Sequence, residues 1–225
     1  MTDDIRAVWS DFGGVLTPPL DHTMSIFCRR IGVPVESFLA AMRTVGDSYG
    51  TDPMAPLDTP LVSEEDWARQ MESVLRTDHL ATVDLSDFGA KWFADRETND
   101  QWLEYLRWLR ADGVFVGMLS NMVPSWDSHW REMVPPESFD DLVMSFEVGC
   151  RKPQSAIFEL AAQRAGALPS QCVLVDDIEA NCAGAQAAGW RAIHFTDTSQ
   201  AIAALERLQP TASATGAGRE GQVRA

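Results

Sequence analysis

Positive charge is what this sequence is short of. Lys and Arg number 18 against 33 Asp and Glu, which leaves a net charge of −15 and a pI near 4.5. A surface of that average sign repels nucleic acid and anionic membranes, so neither is expected as a partner. A phosphorylated substrate is not excluded, because a divalent cation or a few basic side chains reverse the field inside one cleft. Long apolar runs are also missing. No stretch approaches the roughly 18 residues that a membrane span needs, and Met1-Thr2-Asp3-Asp4 has no basic region leading into a hydrophobic one. Cysteine is scarce and unpatterned: Cys28, Cys150, Cys172 and Cys182 form no C-x-x-C pair and have no histidine at zinc spacing. They are expected as reduced thiols of a soluble, cytoplasmic protein, with Cys172 in the core.

What is present is enough for a sizeable core. At 225 residues and 45% hydrophobic content, the chain can hold one large domain, or a core with a smaller insertion. An apolar strand, Ala7-Val8-Trp9-Ser10, runs into Asp11 and then Gly13-Gly14. Glycines there let the backbone turn sharply and approach an ion or oxyanion closely. Residues 18–95 read as helical throughout, with helices expected at 21–31, 36–44, 64–76 and 86–94 and a proline-rich loop at 50–60. Ser63 followed by Glu64, Glu65 and Asp66 is an N-cap with three carboxylates at the positive end of a helix dipole. From residue 98 helix and strand alternate: helices near 102–109, 126–133, 154–165, 180–188 and 199–208, with strands at 114–119, 142–145, 173–175 and 192–195. Such alternation predicts an α/β fold, a Rossmann-like parallel sheet with helices on both faces. The expected layout is a core of 1–17 and 96–208, a helical cap of 18–95, and a disordered tail at 209–225 rich in Ala, Gly, Ser and Thr.

Chemistry gathers at one edge of that sheet. Asp11, then Ser120-Asn121, then Asp176-Asp177 follow expected strands, and Lys152 lies in the loop Gly149-Cys150-Arg151-Lys152-Pro153. A carboxylate nucleophile must approach a phosphorus that is already anionic, so like charges have to be neutralised first. A magnesium ion held by Asp11, a nearby backbone carbonyl and Asp177 would supply two positive charges. Lys152 would add a third and hold down the pKa of Asp11, while Ser120 and adjacent N–H groups would bind phosphate oxygens.

Four stretches in this order resemble the motifs of the haloacid dehalogenase superfamily: Asp11 to Thr17, Leu119-Ser120-Asn121, Arg151-Lys152-Pro153, and Val175 to Asn181. The later ones are most similar to the amino-terminal phosphatase domain of soluble epoxide hydrolases. The resemblance implies a hydrolase working through an aspartyl-phosphate on Asp11. Ser120 and Lys152 are implied as catalytic partners, and Ser120, Asn121 and Lys152 as phosphate binders. Asp11, the Gly13 carbonyl and Asp177 are implied as Mg2+ ligands, with Asp176 and Asn181 orienting the metal or its waters. One position departs from the family pattern. The general acid/base is usually an aspartate two residues after the nucleophile, and here Gly13 stands there.

Loss of a positioned acid/base commonly costs about 10² to 10⁴ in rate. Three outcomes are open: a leaving group that needs little protonation, a replacement such as Asp21 or His22, or loss of turnover. Accordingly the leading expectation is a Mg2+-dependent phosphatase acting on a small phosphorylated metabolite. The alternatives are a metal-independent hydrolytic dehalogenase and a degenerate binding protein. Oligomeric state is not readable from the sequence. Trp126 and Trp130 are spaced to wall an apolar pocket or simply to pack, and Arg151 to meet a substrate anion or a surface carboxylate. His194 is expected as a core or helix-facing residue, and Glu147 as a salt-bridge partner for Lys152.

Overall fold

The structure is a computed structural model that describes residues 4–208, so the tail expected at 209–225 lies outside the described residues. Among the described residues, five strands form one fully parallel sheet: β1 (Ala7–Ser10), β2 (Phe115–Ser120), β3 (Asp141–Met144), β4 (Cys172–Asp176) and β5 (Arg191–His194). The spatial order is β3-β2-β1-β4-β5. Chain order therefore reverses between β1 and β4, and such a switch point opens a crevice at the carboxyl ends of the strands. Asp11 follows β1 and Asp177 follows β4, so the two carboxylates flank that crevice.

Period-2 alternation divides the strand side chains between two cores. Val8, Val116, Met118, Val173 and Val175 face one way, against α6 (Asp100–Ala111) and α11 (Thr198–Leu208). Ala7, Trp9, Cys172 and Leu174 face the other, against α9 (Ser155–Arg164) and α10 (Glu179–Ala187). Helices thus cover both faces, as the alternation predicts, and Cys172 is core. The crossovers between β2 and β4 also carry α7 (Asp127–Met133) and α8 (Ser145–Val148).

Between β1 and β2 the chain forms α1 (Leu20–Ile31), α2 (Val35–Ser48), α3 (Ala55–Asp58), α4 (Glu64–Asp78) and α5 (Phe88–Phe93). The stretch expected as loop at 50–60 contains α3, whose Ala55, Pro56, Leu57 and Asp58 are all buried. Proline at a first helical turn costs no hydrogen bond, which is why this proline-rich segment still closes a turn. Helix α2 runs past its expected end because Val45 continues the buried stripe of Phe38, Ala41 and Met42. Ser63 caps α4 as expected, its Oγ accepting from the Asp66 N–H at 3.1 Å.

Candidate active site

The loop after β1 is wound tightly by local bonds. Leu16 and Thr17 both donate their backbone N–H groups to the Phe12 carbonyl, at 2.9 and 3.2 Å, and Asp11 N–H donates to Val175 O at 2.9 Å. Asn99, the N-cap of α6, adds an outside brace: its Nδ2 donates to Val15 O at 2.9 Å and its N–H to Leu16 O at 2.8 Å. Gly14 has φ +81°, and a Cβ there would lie 1.9 Å from Asp177 Oδ2. Only glycine allows that closeness between the two strand ends.

Successive carboxylates at the end of β4 turn in opposite senses, as strand geometry requires. Asp176 is fully buried and accepts from Lys152 Nζ at 2.5 Å, from Ile178 N–H at 2.9 Å and from Asn181 Nδ2 at 3.0 Å. Asp177 faces Gly14, and its Oδ1 is buried with no hydrogen-bond partner among the described residues. Lys152 Nζ also lies 2.9 Å from Asp11 Oδ1, so one buried ammonium bridges two carboxylates. Oxygens of Asp11, Asp176 and Asp177 all lie within 4.8 Å of one another.

Burial dominates the electrostatics here. It pushes the Asp11 carboxyl up to about 6 against the opposing pull of Lys152, with Asp176 adding to the rise. Asp177 is pushed up to about 7 by burial, then by Asp11 and Asp176. Burial works against the Lys152 ammonium, but Asp11 and Asp176 outweigh it and hold its pKa above the ordinary lysine value. The expected lowering of the Asp11 pKa by Lys152 is therefore real as a contribution and reversed in the total.

Several expected roles shift once contacts are known. The Asn121 amide grips the Lys152 backbone, donating from Nδ2 to Lys152 O at 3.0 Å and accepting from Lys152 N–H at 2.9 Å. Its side chain thereby positions the lysine loop, and the residue lines the same cavity as Asp11. Ser120 ends β2, buried, and lines the same cavity as Asp11, Gly13, Lys152 and Asn181. Glu147 is exposed and does not pair with Lys152. His194 is likewise exposed, because Ile193 takes the inward position of β5; its Nε2 lies 2.9 Å from Asp177 O. Asp21 and His22 are both exposed, the Asp21 carboxylate accepting from His22 N–H, and neither lines the Asp11 cavity.

That cavity measures about 180 Å³, and helices α1, α2 and α5 give it an apolar wall of Leu20, Met24, Met42 and Trp92. The expected tryptophan pair splits. Trp126 lines the cavity, stacks on Trp92 at 6.0 Å and donates Nε1–H to Glu64 Oε2 at 2.7 Å, whereas Trp130 is sealed in the core against Phe12. Glu64 also accepts from Ser125 Oγ at 2.6 Å and Gly89 N–H at 3.1 Å. Arg151 also lines the cavity and pairs with Asp52 and with Asp58 Oδ2 at 2.8 Å, its buried Nε being left without a hydrogen-bond partner among the described residues.

One residue escaped the sequence reading altogether. Arg96 lines the cavity with Asp11, lies over Phe12, Trp92 and Phe93 at 5.4, 5.9 and 5.5 Å, and has buried Nε and Nη2 without a hydrogen-bond partner among the described residues. Burial lowers its pKa to about 10 against the pull of Asp11 and Asp177, which leaves it a cation. It sits just before α6 in no motif, and a lone arginine in a loop carries no sequence signal.

A switch-point carboxylate cluster with a buried lysine, on a parallel sheet with helices inserted after its first strand, defines a hydrolase of the haloacid dehalogenase type. The haloacid dehalogenase-like hydrolase family model matches residues 5–189, and the chain belongs to that family. Bifunctional epoxide hydrolase 2 of Rattus norvegicus is 24% identical over 227 residues, 92% of this chain and 39% of the relative. Sesquiterpene phosphatase astK of Aspergillus oryzae is 33% identical over 105 residues, 46% of this chain and 53% of the relative. The chain thus spans about half or less of these relatives. Among solved structures, a haloacid dehalogenase family enzyme from Bacteroides thetaiotaomicron, in complex with magnesium and inorganic phosphate, has a TM-score of 0.63 at 20% identity, covering 88% of this chain and 99% of its own. L-2-haloacid dehalogenase from Xanthobacter autotrophicus has a TM-score of 0.62 at 18% identity, covering 89% and 81%. Both likenesses are likenesses of fold. No helix among the described residues is long and apolar enough to cross a membrane.

Proposed function

We propose that this protein is a magnesium-dependent phosphatase that hydrolyses a small phosphorylated metabolite through an aspartyl-phosphate on Asp11. The observation that carries this reading is the set of three carboxylates with oxygens within 4.8 Å of one another, grouped closely enough to share one cation. The donors suit magnesium: hard carboxylate oxygens, one of them the buried and unpartnered Oδ1 of Asp177. Asp11, the Gly13 carbonyl and Asp177 would hold the ion, with Asp176 and Asn181 behind them as orienting groups.

Magnesium, when bound, offsets charge between the nucleophile and the phosphoryl oxygens. Everything else falls to the chain. Lys152, fixed by Asp176 and by the Asn121 clamp, keeps its ammonium on Asp11 and would meet a phosphoryl oxygen beside it. The Ser120 hydroxyl would bind a second. Asp11 Oδ would then attack phosphorus, the ester oxygen leaving with the bonding pair, and water would later cleave the acyl-phosphate.

A second reading, hydrolytic dehalogenation, is favoured by Gly13 and by the unpaired Arg96, since a guanidinium would hold a haloacid carboxylate. Against it, that carboxylate would have to enter beside Asp11, Asp176 and Asp177. Hydrolysis of p-nitrophenyl phosphate with magnesium, and with EDTA, separates the two. Activity that EDTA abolishes and Asp11→Asn removes supports the phosphatase; turnover of a 2-haloacid that EDTA leaves untouched replaces it with the dehalogenase.

A further inference from the structure

The gap at position 13 and the unpaired arginine are neighbours. A Cβ built on Gly13 would meet Leu20 Cδ2 first, at 3.3 Å, and then Arg96 Nη2 at 3.8 Å. The space beside position 13 is therefore bordered by the Leu20 side chain and by a guanidinium. Burying that group without an anion or acceptor is costly, and Phe12, Trp92 and Phe93 satisfy its face but not its N–H edge. The same cavity has an apolar lining of Met24, Met42, Met54 and Trp126, interrupted by the Asp58–Arg151 pair.

Resting on the phosphatase reading, we propose that Arg96 takes over the work of the absent side chain at position 13. Its N–H groups hold the ester oxygen of a phosphate monoester whose alcohol is apolar, and stabilise that oxygen as it departs. The step balances without a side-chain acid. The bond from Asp11 Oδ to phosphorus forms as the P–O ester bond breaks, and the electron pair goes to the ester oxygen beside Arg96. The alkoxide takes a proton from water; the hydroxide so formed attacks phosphorus and displaces the Asp11 carboxylate, giving hydrogen phosphate. Arginine suits this because it stays charged while its planar face remains stacked on the aromatic residues.

Leaving-group dependence tests the assignment. Octyl phosphate has an alkoxide that needs stabilising; p-nitrophenyl phosphate has a phenolate that leaves unaided. With magnesium present, Arg96→Gln is expected to lose about 10²- to 10³-fold in kcat/KM on octyl phosphate, and less than about 10-fold on p-nitrophenyl phosphate. Free guanidinium should restore part of the octyl phosphate turnover to Arg96→Ala, and Arg96→Lys should fall between the two. Beryllium fluoride on Asp11 mimics the enzyme after the alcohol has gone, so its affinity, read by calorimetry, should stay within about threefold in Arg96→Gln. Equal losses on both esters, no loss on either, or a matching loss of beryllium fluoride affinity would overturn the role at the ester oxygen while leaving the phosphatase intact. If the wild-type protein hydrolyses neither ester, the phosphatase reading falls and the role of Arg96 falls with it.

Discussion

The floor and the wall of the cavity are built by different rules. The floor is charged and comes from strand ends: Asp11 after β1, Ser120 ending β2, Asp176 and Asp177 at the end of β4, and Lys152 in a loop clamped by Asn121. The wall is apolar and comes mostly from helix faces inserted between β1 and β2, with Met24, Met42 and Trp92 presented by three helices. Floor residues are each fixed by hydrogen bonds and ion pairs to one another, so their geometry tolerates little change. Wall residues are fixed by packing between elements, which leaves their identity free to follow a substrate.

The sharpest way to break that contrast is to remove the floor's proposed nucleophile. Asp11→Asn should lower kcat by at least about 10⁴, with the fold intact by circular dichroism. Loss of the buried cation is the next largest effect, this time on stability. Lys152→Gln leaves Asp11 and Asp176 without their shared cation and should cost about 3 to 5 kcal/mol in a denaturant melt; a loss under about 1 kcal/mol would show that the floor is less tightly specified than its contacts indicate. On the wall, Met42→Ala should raise KM for an octyl ester about 5- to 20-fold and leave p-nitrophenyl phosphate little changed. A kcat loss as large as a floor mutation causes would erase the distinction between the two regions.

Proton competition sharpens the floor alone. The Asp11 and Asp177 carboxyls rise to about 6 and about 7, so both hold protons in the folded protein at a pH where the unfolded chain has lost them. Without metal, stability should therefore fall as pH rises from about 4 to 7, and magnesium should bind more tightly over the same rise. Thermal melts with and without magnesium at pH 5.5 and 7.5 check both signs. The smallest effect belongs to the insertion: Ser63→Ala removes the cap of α4 and should cost about 1 kcal/mol without changing kcat.

Legibility followed the same division. Parallel sheet, helical insertion and the order of the strand-end carboxylates could be read from periodicity and short motifs, because each depends on residues close in the chain. The capping of α4 by Ser63 was readable for the same reason. Arg96 was not, since its surroundings of Phe12, Trp92 and Phe93 are assembled from separate segments. The clamp of the Asn121 amide on the Lys152 backbone, 31 positions away, has no local signal either. At β5 one step of strand alternation separates the core position of Ile193 from the solvent position of His194, and four residues alone do not fix which is which. Helix α3 hid behind its prolines, and its burial against the core decided its fate over its composition.

Trapping of the phosphorylated protein tests the central claim most directly. Rapid acid quench during turnover of a radiolabelled phosphate ester, followed by peptide mapping, should place the label on the peptide containing Asp11. Label should be missing from Asp11→Asn and from wild-type protein in EDTA. Label on another residue, or undiminished labelling in EDTA, would contradict the account.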